Sequence, residues 1–401
     1  MVDEALMRSL TLKTPSTIVL LVMDGVGGLR VDGKTELEAA HSPHLDDLAA
    51  RSICGVTDPV SPGITPGSGP GHLGMFGYDP LRYEIGRGVL EALGIEMELG
   101  KSDVVARGNF ATMDHKGIIV DRRAGRIPTE KNKELCDLLQ KEIPEIEGVQ
   151  VEVRHGKEHR FVLRFMEEGL DGRIEDTDPQ REGNPPHPPT PLVPEAEHTA
   201  QIIKLFSERA NGVLQDHHPA NTVLLRGISQ IPAIPSMNDL FKLTPACIAT
   251  YPMYKGLARL VGMEILETGE TIADEFQTIK ERFQEFDYFF LHIKKTDSYG
   301  EDGNFEKKVE IIEEVDRHIP ELLALGPDVI AVTGDHSTPA LLKGHSWHPN
   351  PFMLYSKYER IDDVQEFTEA ACVKGGLGRF LAVHEMPLML ASALKIEKFG
   401  A

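Results

Sequence analysis

Three strand-like apolar runs lead directly into segments that contain a carboxylate, and this pattern constrains the fold more than any other feature of the chain. The runs cover residues 17–23, 287–293 and 328–333. The carboxylates that follow them are Asp24, Asp297 and Asp335. Short apolar runs bounded by turn residues are typical of buried strands. In an open parallel sheet the loops after the strand carboxyl ends converge on one crevice. The pattern therefore predicts an α/β fold in which these side chains meet.

The side chains at these strand ends are suited to divalent metal ions. Asp24, Asp297 and the Asp335-His336 pair offer the oxygen and nitrogen ligands that Mn²⁺, Mg²⁺ and Zn²⁺ accept. A loop with two more histidines, His345 and His348, follows within twelve residues of His336. Any one of these residues alone is more typical of a helix cap, a turn or a surface loop. Their joint occurrence predicts a metalloenzyme, and two ions sharing the ligands would form the clamp used in phosphoryl displacement.

Ser68 is the best candidate for a nucleophile. It lies in a stretch dominated by glycine and proline, residues 59–71, which predicts a shaped loop with a helix starting near His72. The glycines clear space around the hydroxyl, and backbone N–H groups at the start of a helix favour an anion beside it. Metal coordination would activate the serine without a histidine base. Thr65 and Ser61 are less favoured alternatives, and a serine in a turn is the ordinary structural explanation.

The length of 401 residues predicts two domains or one large domain with an insertion. From about residue 104 the strands alternate apolar and polar side chains, as half-buried strands do, and a proline-rich connector covers residues 176–191. After Pro235 the apolar α/β pattern returns. We therefore expect a discontinuous catalytic domain, residues 1–103 and 236–401, and an inserted α+β substrate-binding or cap domain, residues 104–235.

The net charge and the cysteine content limit the classes of partner and the cellular compartment that we expect for this protein. A net charge of −21 argues against non-specific nucleic-acid binding and against docking on anionic lipid, because both need a positive surface. Four separated cysteines predict reduced residues in the cytoplasm, and no signal peptide or membrane span is expected. Arginines could supply a local basic pocket for an anion through bidentate contacts. The densest such stretch is residues 121–126.

The motifs together resemble the cofactor-independent phosphoglycerate mutases of the archaeal type, which belong to the alkaline phosphatase superfamily. The strings that carry the resemblance are Met23–Gly25, Gly67–Leu73, Gly77–Pro80, Ile85–Gly88, Glu91–Gly94 and Thr333–Pro339. The metal motifs identify only the superfamily, whereas the strings around Gly77, Ile85 and Asp121 are specific to this branch. The resemblance extends along nearly the whole chain. It implies a three-layer sandwich around a mostly parallel sheet, with an inserted smaller α+β domain.

The same resemblance implies an activity and a role for each site residue. The reaction would interconvert 3-phosphoglycerate and 2-phosphoglycerate without bisphosphoglycerate, with Ser68 carrying the phosphoryl group as a transient phosphoserine. Two divalent ions are implied, with Mn²⁺ preferred and Mg²⁺, Co²⁺ or Zn²⁺ as alternatives. The ligands of the first ion would be Asp24, Ser68, Asp335 and His336. Asp297 and His345 would hold the second. The residues expected to bind phosphoglycerate are Arg122, Arg126, Arg160 and Lys255.

One residue departs from the family pattern. The family usually has a histidine four residues after the second-site aspartate, where this chain has Glu301. A carboxylate can still coordinate Mn²⁺ or Mg²⁺, and His348 could supply the missing nitrogen. If Glu301 instead weakens the second site, two alternatives open. One is a metal-dependent phosphatase or a mutase acting on another phosphorylated metabolite, and the other is a binding protein without catalysis. Oligomeric state stays open.

Overall fold

A computed structural model describes residues 3–400 of the chain. The strands are β1 Ile18–Met23, β2 Ile53–Asp58, β3 Val104–Met113, β4 Ile119–Asp121, β5 Glu145–Ile146, β6 Val149–His155, β7 Arg160–Met166, β8 Thr222–Ser229, β9 Pro245–Ala249, β10 Glu264–Ile265, β11 Tyr288–Ile293, β12 Val329–Thr333, β13 Asn350–Ser356 and β14 Gly378–Leu381. The helices are α1 Glu4–Leu10, α2 Glu36–Ala39, α3 Pro43–Ala49, α4 Ser68–Met75, α5 Arg87–Gly94, α6 Thr129–Glu142, α7 Glu197–Leu214, α8 Met237–Phe241, α9 Pro252–Leu260, α10 Ile272–Arg282, α11 Lys295–Asp302, α12 Phe305–Ala324, α13 Glu369–Cys372 and α14 Glu385–Ser392.

The chain divides into two compact units. Unit 1 consists of Met1–Glu84 and Ile234–Ala401, and unit 2 of Ile85–Ala233. The predicted second domain begins at residue 104, whereas unit 2 begins at Ile85. The reason is local packing, because α5 lies against β3 and β8 of unit 2. Within residues 3–400, no helix combines the length and the apolar character that a membrane crossing requires.

Unit 1 is built on an eight-stranded sheet in the order β10-β9-β11-β1-β12-β13-β2-β14. All neighbouring strands are parallel except β13, which is antiparallel to both β12 and β2. Every residue of β1, β11 and β12 is buried, as expected for central strands covered on both faces. The predicted α/β fold with a mostly parallel sheet is confirmed.

Helix α12 is the longest helix and covers part of this sheet. Its buried side chains Ile312, Val315 and Ile319 join a core cluster that also contains Leu21 of β1 and Val332 of β12. The helix begins with Asn304, whose side chain accepts a hydrogen bond from the Lys307 N–H. The sequence analysis assigned no helix here, so α12 is an element that it missed.

Unit 2 is an antiparallel α+β unit with its own core. Its six-stranded sheet has the order β4-β3-β7-β6-β5, and β8 also pairs with β3. Strand β6 alternates buried and partly exposed residues, which is the half-buried pattern that the sequence predicts. One core cluster joins side chains of α6 and α7 to the sheet. The unit therefore buries enough apolar surface to form a hydrophobic core of its own.

Candidate active site

The three predicted carboxylates meet because their strands are neighbours. Strands β11, β1 and β12 lie side by side and run parallel, so their carboxyl ends share one edge of the sheet. Asp24 and Asp335 follow β1 and β12, and Asp297 lies in the first turn of α11, just after β11. All three side chains are buried. The sheet topology alone therefore brings three acidic groups, distant in sequence, to one place.

The first group of possible ligands consists of Asp24, Asp335 and His336. The His336 Nε2 atom lies 3.1 Å from Asp335 Oδ2 and 3.4 Å from Asp24 Oδ1. These three atoms are buried, and none has a hydrogen-bond partner among the described residues. Uncompensated buried polar atoms are costly and rare in native proteins. Three that converge fit the donor set of a divalent cation.

The electrostatics of this group also favour a cation. Burial raises the pKa of the Asp335 carboxyl well above its usual value, and the neighbouring Asp24 carboxylate raises it further. Burial also acts to raise the pKa of Asp24, but Lys294 and His292 outweigh it and hold that pKa well below its usual range. Two carboxylates this close cannot both stay ionised without nearby positive charge. A divalent ion held by these residues would supply that charge.

The second group consists of Asp297, His336 and His345. The His345 Nε2 atom lies 3.7 Å from Asp297 Oδ1, and its ring stacks on that of His336 with centroids 3.6 Å apart. The other His345 ring nitrogen, Nδ1, lies 2.9 Å from the carbonyl oxygen of Pro66, which fixes the ring orientation. The histidine loop predicted from the sequence thus brings one of its two histidines to the carboxylates.

Glu301 lies beside this second group but outside it. It is one helical turn after Asp297 in α11, and its Oε1 atom is 3.9 Å from His345 Nε2. The side chain is 56% exposed, so it can rotate toward the carboxylates or away from them. His348 lies in neither group, and its Nδ1 atom is 3.0 Å from the hydroxyl of Ser346. Of these two residues, Glu301 is the one placed next to the second group.

Ser68 is the first residue of α4, so the predicted helix begins four residues earlier than expected. Gly67 precedes it in extended conformation, and the glycines at 69 and 71 are buried in the helix. A Cβ atom at position 71 would lie 2.4 Å from the backbone oxygen of Asp335, so only glycine permits this close approach. The helix therefore presents Ser68 and its free N–H groups beside the loop of the first group.

Two residues that were not predicted from the sequence contact Ser68 and the carboxylates. The Tyr254 hydroxyl lies 3.4 Å from Ser68 Oγ and 3.2 Å from Lys294 Nζ. Lys294 donates to Asp24 and to Asp297, bridging the two groups of ligands. Lys294 directly precedes α11, a position that the motif around Asp297 could have flagged. Tyr254 lies on α9 without a local signal, and only the fold brings it here.

His72 supports Ser68 from within the same helix. Its Nδ1 atom lies 2.8 Å from the carbonyl oxygen of Ser68 and 3.3 Å from Asp335 Oδ2. Burial lowers the pKa of His72 to about 3, so the ring is neutral near pH 7. A neutral ring that contacts both residues orients them and carries no charge into the site.

The predicted substrate-binding residues have different environments. In unit 2, Arg122 forms a bidentate ion pair with Asp178, whereas Arg126 is exposed at the end of a short turn. Arg160 is exposed at the start of β7 and has no carboxylate within 4.0 Å among the described residues. In unit 1, Lys255 lies on α9 with its Nζ atom 3.9 Å from a Glu267 oxygen. Of the three arginines, only Arg122 is held by a carboxylate among the described residues.

Unit 2 also contains arginines that the sequence analysis did not single out. Arg107 is half-buried on β3. Burial lowers its pKa, and the charges of Arg226, Arg160 and Arg87 lower that pKa further. The buried Nε atoms of Arg107 and Arg226 have no hydrogen-bond partner among residues 3–400. Arg226 Nε lies 3.6 Å from carboxylate oxygens of Asp176 and Asp178, whereas Arg107 has no carboxylate within 4.0 Å among the described residues. The charge of Arg107 is therefore free to attract an anion. Single arginines on strands are common in protein sequences, so the sequence does not distinguish Arg107 and Arg226 from other arginines.

Comparisons with known proteins agree on one family. Residues 49–221 match the family model described as 2,3-bisphosphoglycerate-independent phosphoglycerate mutase. A protein of Thermosipho melanesiensis named a probable mutase of this kind is 54% identical over 403 residues, covering 100% of both chains. A protein of Thermus thermophilus with the same name is 52% identical over 400 residues, covering 98% of both. The solved cofactor-independent phosphoglycerate mutase of Thermoplasma acidophilum has a TM-score of 0.76 and 32% identity, covering 94% of this chain and 100% of its own.

If Asp24, Asp335 and His336 bind a divalent ion, that ion should raise the thermal stability of the protein. We expect Mn²⁺, at about a hundred times its Kd, to stabilise the chelated protein by about 2.7 kcal/mol. Asp335→Asn removes one of two adjacent buried carboxylates, so the metal-free variant should melt at a higher temperature than the metal-free wild type, with little further increase on adding Mn²⁺. Thermal melts with and without Mn²⁺ measure both effects.

Asp328→Asn is a matched control for Asp335→Asn, because Asp328 lies at the other end of strand β12. Asp328 precedes β12 and accepts a hydrogen bond from the Thr17 N–H, away from the metal-ligand loops. Asp328→Asn should keep the full stabilisation by Mn²⁺. A wild type that Mn²⁺ does not stabilise, or an Asp335→Asn variant that keeps the effect, would contradict the assignment of the first group.

Proposed function

The chain belongs to the family of 2,3-bisphosphoglycerate-independent phosphoglycerate mutases, isomerases that interconvert 3-phosphoglycerate and 2-phosphoglycerate, and we propose that it does so through a phosphoserine at Ser68. We also propose that it is of the archaeal type within the alkaline phosphatase superfamily. Free, buried cysteines support a reducing compartment and hence a cytoplasmic location.

One observation carries the proposal. Three buried atoms, on Asp24, Asp335 and His336, converge beside the helix that begins with Ser68, and none of them has a hydrogen-bond partner in the part of the chain that the structure describes. Metal ligands next to a serine at a helix N-terminus provide what phosphoryl transfer requires: a nucleophile, positive charge and N–H donors for the anion. A binding protein without catalysis would not need a nucleophile placed there.

The proposed reaction proceeds in two displacements. Ser68 Oγ forms a bond to phosphorus, the bond from phosphorus to the substrate oxygen breaks, and that oxygen takes up a proton. The other hydroxyl of the retained glycerate then attacks the phosphoserine, and Ser68 is released. Tyr254, held by Lys294, orients the serine hydroxyl. A divalent ion bound by Asp24, Ser68, Asp335 and His336 would lower the pKa of the serine and neutralise charge on the phosphoryl oxygens.

We propose a second ion held by Asp297 and His345, with Glu301 completing its ligands. We favour Glu301 over His348 as this ligand because Glu301 lies close to His345 and is partly exposed, whereas His348 Nδ1 lies 3.0 Å from the Ser346 hydroxyl. Burial and the charge of Asp297 raise the pKa of Glu301, so this carboxyl would gain from a nearby cation. Oxygen-rich sites favour Mn²⁺ or Mg²⁺, and Mn²⁺ also accepts the imidazoles, which is why we propose it ahead of Co²⁺ and Zn²⁺.

Substrate recognition is proposed to rest on cationic side chains. Phosphoglycerate carries a phosphate and a carboxylate, and guanidinium groups bind both in bidentate fashion. We assign this role to Arg122, Arg126, Arg160 and Lys255. Retention of glycerate during the reaction requires that these contacts persist while the phosphoryl group is on Ser68, and that water is excluded. No bisphosphoglycerate is then needed.

Replacing the nucleophile tests the proposal directly. Ser68→Ala should lower kcat by about 10⁴-fold or more, because no other side chain would accept the phosphoryl group. The measurement is a coupled assay of 3-phosphoglycerate isomerisation with free phosphate read in parallel. Ser61→Ala, on the loop before the helix, is the control and should stay near wild-type activity. Full activity in Ser68→Ala would contradict the mechanism, and phosphate release exceeding isomerisation in the wild type would favour a phosphatase.

The role of Glu301 is tested by metal affinity. If its carboxylate completes the second site, Glu301→Ala should weaken binding of the second Mn²⁺ by about tenfold to a hundredfold, measured by calorimetric titration of chelated protein. Asp302→Ala, the next residue on the same helix, removes an equal charge and is the control. Equal effects of the two variants would show that Glu301 acts only through its charge.

Arg160 offers the cleanest test of substrate binding. Loss of a charge-assisted hydrogen bond costs about 1.5–3 kcal/mol, so Arg160→Ala should raise KM for 3-phosphoglycerate by about tenfold to a hundredfold. Arg154 lies on the neighbouring strand β6 and is paired with Glu152. Arg154→Ala should leave KM within about twofold of the wild-type value. An unchanged KM in Arg160→Ala would remove this residue from the substrate-binding set.

A further inference from the structure

Lys308 of α12 is a fully buried lysine whose ammonium group is enclosed by backbone oxygens of unit 1. Its Nζ atom donates to the carbonyl oxygens of Gly25 at 2.8 Å, Thr338 at 2.9 Å and Gly27 at 3.2 Å. An ammonium group has three donors, so these bonds use all of them. The side chain is completely inaccessible to solvent. Lys308 thus occupies a cation site formed by main-chain oxygens, and the proposed mechanism assigns it no role.

The three oxygens belong to the two loops that carry the first group of ligands. Gly25 directly follows Asp24, and Thr338 lies two residues after His336. The Thr338 hydroxyl also donates to Asp297 Oδ1 at 2.6 Å and lies 2.9 Å from the Nδ1 atom of His336. A single ammonium group therefore contacts the backbone beside ligands of both proposed ions.

The loop that contains Gly25 and the loop that contains Thr338 are in close contact, so a small displacement of either loop would move the metal ligands apart. The Thr338 N–H donates to the Gly25 carbonyl at 3.1 Å, and the Gly25 N–H donates to Asp335 Oδ1 at 3.1 Å. Gly25 has φ +62°, and a Cβ atom there would lie 2.5 Å from Thr338 Oγ1. Packed interiors resist continuous deformation, so the loops have little freedom while Lys308 holds them.

Glu36 of α2 balances the charge of Lys308. It is fully buried, with Oε1 3.8 Å from Lys308 Nζ and 2.9 Å from the Ala340 nitrogen, from which it accepts a hydrogen bond. A Cβ atom on Gly28 would lie 1.8 Å from the other carboxylate oxygen of Glu36, so both loops pack against this residue. The buried pair thus ties the loop after β1 to the loop after β12 from one side.

We propose that Lys308, with Glu36, is a positioning residue that holds Asp24 and His336 at the separation required for metal binding before any ion arrives. This inference rests on the proposed function, because it assumes the first metal site. Ligands fixed in advance lower the cost of reorganisation on binding. The alternative is that the pair only stabilises the fold, as other buried ion pairs do.

Lys395 provides a matched control for that alternative. It is also a fully buried lysine of unit 1, and it donates to the carbonyl oxygen of Thr14 at 2.9 Å and to Asp287 at 3.4 Å. Asp287 directly precedes β11, whereas the metal ligands follow the carboxyl ends of the strands. Removing this ammonium should therefore cost stability without changing the ligand loops.

The test is calorimetric titration of chelated protein with Mn²⁺, read together with the melting temperature. We expect Lys308→Met to weaken binding of the first Mn²⁺ by about tenfold or more, whereas Lys395→Met should lower the melting temperature and leave Mn²⁺ affinity within about twofold of the wild type. The double variant Lys308→Met with Glu36→Gln buries no unpaired charge, so it should fold better and still bind Mn²⁺ weakly. Wild-type affinity in either Lys308 variant would overturn the proposal.

A second measurement needs only the wild-type protein. Positioning in advance predicts that the amides of Gly25, Thr338 and Ala340 are protected from hydrogen exchange in the chelated protein nearly as well as in the Mn²⁺-bound protein. Free exchange at these amides until Mn²⁺ binds would overturn the proposal, whatever the variants do. A wild type that binds no Mn²⁺ but keeps these amides protected would instead refute the proposed metal site.

Discussion

The mutual repulsion of Asp24 and Asp335 is the interaction on which the site depends. Parallel pairing of β1 and β12 forces these buried carboxylates to one edge of the sheet, where burial and mutual charge raise the pKa of Asp335. Both carboxyl groups can be ionised together only with compensating positive charge. Lys294 supplies part of it from inside the protein, and divalent ions are proposed to supply the rest.

The supporting residues around the site divide into two kinds. Lys294 and Tyr254 contact the carboxylates and the serine hydroxyl, so a change in either would alter the reacting groups. Lys308 and Glu36 form hydrogen bonds with backbone atoms of the ligand loops, and we propose that they act through the geometry of those loops. Glu301 adds a carboxylate beside His345. Lys294, between the two groups of ligands, offsets the charge of that carboxylate.

The sequence could predict those parts of the site that depend on local pattern. The strand ends that carry Asp24, Asp297 and Asp335 were detectable because buried parallel strands are continuous apolar runs. The start of α4 at Ser68 was missed, because glycine and proline normally argue against a helix, and here close packing against Asp335 requires glycine. Lys308 and Tyr254 were undetectable, because Gly25 and Ser68, which they contact, lie more than 180 positions away in the sequence, and only the tertiary fold brings them together.

The central claim, that Ser68 carries the phosphoryl group between the two hydroxyls of glycerate, is most directly tested by trapping the intermediate. Protein loaded with Mn²⁺ would be mixed with phosphate-labelled 3-phosphoglycerate in a single turnover, quenched in acid and mapped by peptide mass spectrometry. We expect transient label on the peptide that contains Ser68, and this label should disappear as 2-phosphoglycerate accumulates without free phosphate. Isomerisation with no labelled protein at any time, or label on another residue, would contradict it.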